Sequence, residues 1–114
     1  MKFSELIKRE ETLLMRLLPV SMKQHDLALA GDITQLNQLL FAQQPLMTEW
    51  EANEEQLKPF RSIPPEERQW DSEEERLETI ATNERCKVLR DQIMELIDES
   101  FTDVGDDFGS INRI

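Results

Sequence analysis

Along the first thirty residues, apolar side chains recur at steps of three and four: Phe3, Leu6, Ile7, Leu13, Leu14, Leu17, Leu18, Leu27 and Ala28 fall mainly on one broad stripe. That spacing predicts an amphipathic helix over about 3–30, with Ser4 as the expected N-cap because its hydroxyl can accept from an orphan amide of the first turn. Gly31-Asp32 stops it, since Gly tolerates the left-handed conformation after a helix and Asp can cap the next one. A turn this short predicts an antiparallel hairpin. The second helix, about 32–57, carries the cleanest period in the chain, running Ile33, Leu36, Leu40, Gln43, Met47, Trp50, Glu54, Leu57 in alternating steps of three and four. Such a repeat suits long helices packed at a shallow angle. Each helix holds one proline, Pro19 and Pro45, at nearly the same height above the turn, counted at about 1.5 Å per residue. Each removes a backbone bond, predicting either two kinks that bend the pair together or a loosened stretch that opens a groove.

The stripe fails over 58–71, where Pro59, Pro64 and Pro65 arrive, so this is the expected long connection. Phe60, Ile63 and Trp70 are apolar enough to pin it, and Pro65-Glu66-Glu67-Arg68 has the composition of a single helical turn. Ser72-Glu73-Glu74-Glu75 reads as a capping box opening a third helix over about 72–101. Its apolar face is expected through Leu77, Ile80, Cys86, Leu89, Ile93, Leu96, Ile97 and Phe101, with Asn83 interrupting it. Acidic residues gather at the far end, where a helix dipole prefers cations, so fraying and a mobile acidic tail are expected over 102–114. The fold class predicted is all-α, an antiparallel bundle of three long helices forming one domain over 1–114.

Composition narrows the function. With 24 acidic and 13 basic side chains the formal net charge is −11, a field that repels phosphate backbones and anionic lipid, so neither nucleic acid nor a membrane is an expected partner. The apolar runs fall short of a span of about 20 residues and the first residues lack a secretory pattern; the expected location is cytoplasmic. The single cysteine, Cys86, agrees with a reducing compartment.

Catalysis finds little support. Cys86 and His25 are alone of their kind and nothing in the sequence places them together; Cys86 reads as a buried core residue and His25 as a partner for the helix C-terminus. A ferritin-like metal site needs Glu-x-x-His, but Met22 precedes His25 by three. Asp103-Val104-Gly105-Asp106-Asp107 fails as a calcium loop because Phe108 and Ile114 stand where Gly and Glu are required. No catalytic residue, cofactor or metal is expected.

The surplus is apolar. Met15, Met22, Leu29, Leu39, Phe41, Leu46 and Met94 lie beside or away from the stripes, which predicts a wider core, a homodimer seam, or a groove that receives an amphipathic helix from a partner. The Gly-Asp turn, Ile33-x-x-Leu36-x-x-Leu39-Leu40, Leu46-Met47, the Ile63-Pro64-Pro65-Glu66-Glu67 loop and Leu77-x-x-Ile80-x-x-Asn83-x-x-Cys86-x-x-Leu89 together resemble the small flagellar type III export chaperones of the FliT type over about residues 5–99. The FlgN type shares the hairpin. Pro45 and Gln44 depart from the pattern, and a distinct fourth helix is not evident. The resemblance implies a cytoplasmic chaperone that binds the C-terminal region of the filament-cap protein and delivers it to the export apparatus, or, for the FlgN type, serves hook–filament junction proteins. Its groove would draw on Leu36, Leu39, Leu40, Met47, Ile93, Leu96 and Ile97. A non-catalytic dimeric helical scaffold is the alternative.

Overall fold

A computed structural model describes residues 1–64 and 67–112, with side chains described to residue 100. Four α-helices account for most of them: α1 Phe3–Leu29, α2 Ile33–Ala42, α3 Gln44–Arg61 and α4 Glu73–Asn112. No strand occurs among the described residues.

The hairpin forms as its turn chemistry dictates. Gly31 has φ +70°, the left-handed value that a side chain would resist, and the Asp32 carboxylate accepts from the amide of Gln35 at 3.1 Å to cap α2. Helix α1 begins at Phe3, as expected, but its N-cap lies two residues before Ser4. Lys2 holds the N-cap position without a side-chain bond, and Ser4 is buried, donating instead to Glu75 at 2.6 Å.

The expected second helix is two. Gln43 interrupts it and Pro45 lies in the first turn of α3, where a missing N–H costs nothing because that amide would have no intrahelical partner. Pro19, by contrast, sits inside an unbroken α1. The apolar stripe nonetheless runs on across the break: Leu36 and Leu57 are buried, and Met47 and Trp50 pack partly against the same core. Helix α3 also extends past Leu57 through Pro59 to Arg61, so the connection is shorter than expected. Of the turn expected at 65–68, Pro65 and Glu66 lie outside the described residues.

Helix α4 opens with the anticipated box. The Glu75 amide donates to Ser72 Oγ at 3.0 Å, while the Glu75 carboxylate reaches back to the amide of Asp71 at 2.6 Å. Its buried face is rotated from the expected one: Thr79 and Thr82 are buried, whereas Leu77 and Ile80 are 55% and 45% exposed. Small threonines let α4 lie close along α1 where Leu and Ile would hold it away. The helical backbone then continues to Asn112, where an acidic tail from 102 was expected; residues 113–114 lie outside the described residues.

Helix α1 is the spine. Helix α3 runs antiparallel to it, with Asn53 Nδ2 donating to the Leu6 carbonyl near one end and Arg16 paired with Glu49 further along. Helix α4 runs parallel to it, through Ser4–Glu75, Glu11–Arg85 and His25–Glu99. Both flank α1, yet among the described residues no Cα of α2 or α3 comes within 8 Å of α4. The bundle is splayed.

A groove between the splayed helices

The two ends of the bundle differ. At the end holding the start of α1, the end of α3 and the start of α4, Leu6, Ile7, Leu57 and Cys86 are fully buried. Phe3 packs on Phe60 at 5.7 Å and on Trp70 at 5.9 Å, with the Arg68 guanidinium 4.6 Å over its ring. These contacts pin the connection as the aromatic residues suggested.

A buried polar cluster joins the helices just inside this closed end. Glu10, fully buried on the apolar stripe of α1, accepts from Trp50 Nε1 and from Asn53 Nδ2, each at 2.9 Å. Arg90 of α4 reaches Glu10 at 3.4 Å and Glu54 of α3 at 3.7 Å, and Glu54 is held by Arg61. Burial pushes the Glu10 carboxyl above the usual carboxylate range, and its hydrogen bond with Glu54 adds to this, while Asn53 and Trp50 favour the anion. Burial acts on Glu54 in the same sense, but the hydrogen bonds with Glu10 and Arg61 and the charges of Arg61 and Arg90 outweigh it and hold Glu54 low. Of the two carboxyls, Glu10 is therefore the more readily protonated. Here α3 and α4 are bridged by side chains although their backbones stay apart.

Beyond the cluster the bundle is open. Between α2–α3 and α4 lies an apolar depression of about 290 Å³. Leu14, Leu17, Ser21 and Gln24 of α1 form its floor; Leu40, Gln43, Met47 and Trp50 form one wall, and Arg90, Ile93, Met94 and Ile97 the other. Pro19 and Pro45 fall at this level, between lining residues of their own helices. In α2 only Leu36 is buried, and Phe41 is 76% exposed.

Of the seven groove residues expected from sequence, Leu40, Met47, Ile93 and Ile97 meet in this depression. Leu36 is instead buried, and Leu39 and Leu96 are half-buried, outside the lining. The floor, and Gln43, Trp50, Arg90 and Met94 of the walls, were missed. The floor had a legible signal: Ser21 and Gln24, both buried, occupy stripe positions of α1 where a filled core would carry larger apolar residues. Among the described residues no group of three His, Cys, Asp or Glu is arranged to hold a metal ion, and no helix is long and apolar enough to cross a membrane. Comparison with protein-family models, with curated proteins and with solved structures finds no match.

Proposed function

We propose that this chain is a helix-binding protein that holds an amphipathic segment of a partner in the groove between α2–α3 and α4. The observation that carries this is the splay itself: three helices leave the half-buried Leu40, Met47, Trp50 and Ile97 and the exposed Met94 facing an apolar depression, over a buried floor, that a fourth helix would fill. The partner segment, disordered alone, would fold as it docks and bury apolar surface on both sides. The resemblance of the hairpin and the proline-acid loop to FliT-type chaperones makes the C-terminal segment of a flagellar filament-cap protein the first client to test, with a cytoplasmic hand-over to the export apparatus as the accompanying role. A second reading, a dimeric scaffold, draws on the exposed Met15, Met22 and Leu29 of α1.

Calorimetry with the filament-cap peptide, and a hook–filament junction peptide as control, separates these. A 1:1 complex with a negative heat-capacity change, weakened at least tenfold by Met47→Glu or Ile97→Glu in variants that keep their helical circular dichroism, is the expected result. Preference for the junction peptide assigns the FlgN type. Binding of neither peptide, or binding indifferent to both substitutions, removes the export-chaperone reading.

A further inference from the structure

The groove is chemically lopsided, and this deepens the function just proposed by specifying the partner's charge. In a chain with 32% charged residues, residues 33–48 carry none, so the wall built by α2 and the start of α3 is neutral. The border of the opposite wall is not. Outside its lining, helix α4 over residues 91–100 carries Asp91, Glu95, Asp98 and Glu99 and no basic side chain, and these acids face a neighbouring depression that meets the groove at Met94. Asp26 and Asp32, at the end of α1 and the start of α2, add to the same open end against Lys23, while the nearby His25 is engaged by Glu99 at 2.8 Å. At the closed end the one charged lining residue, Arg90, is already met by Glu10 and Glu54. The field along the groove thus runs from balanced at Trp50 to negative at Ile97.

We infer that the occupant is an amphipathic helix whose apolar face is bordered by lysine or arginine on the flank and end that overlie α4 beyond Met94, and by uncharged residues on the flank facing α2. The floor from Leu14 to Gln24 spans about 15 Å at the helical rise, so roughly three turns of partner helix are gripped, with the basic residues one turn further on. A second copy of this chain fits poorly, because each copy carries a net charge of −11 and would bring acid to acid.

The test uses the full chain and two synthetic peptides of about 18 residues, or five turns, with one shared leucine stripe and either lysine or glutamate along the same flank. The lysine peptide is expected to bind at least tenfold tighter at low salt, and the advantage to shrink as the Debye length shortens. Glu95→Lys, at an exposed position beyond Met94, is expected to cancel most of the preference without altering the fold. Equal, salt-independent binding of the two peptides overturns the charge assignment and leaves the groove standing. Binding of neither overturns the groove itself, and a stable dimer whose dissociation is needed before either peptide binds assigns the groove to a second copy instead.

Discussion

Glu10 is buried among Leu6, Ile7, Leu13 and Leu14 on the stripe of α1, and it is the residue on which the three-helix contact turns. Truncation to Ala would orphan the Trp50 indole, leave Asn53 Nδ2 with the Leu6 carbonyl, and leave Arg90 with Glu54. Removing one side of a buried pair typically costs about 3–5 kcal/mol, measurable as a lower urea midpoint. Its pH dependence has a definite sign. A carboxyl whose pKa is higher in the folded chain stabilises the fold fully below its unfolded value, near 4.5, and that contribution is lost as pH rises through the folded value. Glu54, shifted the other way, contributes above 4.5 and loses its share as pH falls through its folded value. Glu10→Gln abolishes the first slope, so the variant should gain on the natural chain as pH is raised from 4.5 toward neutrality; a constant difference across that range would disprove the assignment. Cys86 offers a second check. Burial, then the charges of Glu10 and Glu11, push its thiol up to about 11, and its Sγ faces the Ile7 carbonyl at 3.8 Å. Thiol reagents at neutral pH should therefore label it only as fast as the fold opens. Its burial was legible in the sequence from its place on an apolar face, whereas the partners of Glu10 were not, because Trp50, Asn53 and Arg90 lie 40 or more residues away.

For the helices, the sequence was most informative where local chemistry decides. Gly31 and Asp32 announce the hairpin, and Ser72 with Glu75 announces α4, because a left-handed turn and a cap are matters of a few adjacent residues. Replacing Gly31 by Ala should cost about 1–2 kcal/mol from the left-handed backbone alone, although open space surrounds the new methyl group. Asp32→Ala should cost about 1 kcal/mol. Both losses would appear as lowered melting temperatures. Periodicity misled where packing decides: Leu77 and Ile80 have helical spacing but are exposed, since the close parallel contact of α4 with α1 admits Thr79 and Thr82 instead. The break at Gln43 was likewise hidden under a stripe that continues through it. Pro45 could be located but not interpreted, because a proline in a first turn and a proline in mid-helix look alike until the helix boundary is known.

Across the whole molecule, stability is concentrated at one end and accessibility at the other. Leu57→Ala in the closed end should cost about 2–5 kcal/mol, as large-to-small changes in tight cores do. Leu40→Ala on the groove wall should cost far less while weakening partner binding, and urea titration of the two variants beside a binding assay checks the contrast. Hydrogen exchange should follow the same gradient, with the amides of α2 exchanging well before those of α3 around Asn53. The groove as a whole was only partly legible. Four of its residues follow from periodicity, but the separation between α3 and α4 depends on how far their backbones stand from each other, and no pattern within either helix encodes that distance.

The polar cluster around Glu10 ties the two walls together at a single level, and above it each wall is seated on α1 like a jaw of a clip, by the turn at Gly31 on one side and by His25–Glu99 on the other. With both ends of the α2–α3 wall anchored, adjustment falls to its middle, where α2 gives way to α3 at Gln43. There the unbranched side chain of Met47 can repack to seat residues of different size. Such a clip would recognise the rhythm of apolar residues in what it holds and accept many spellings of that rhythm.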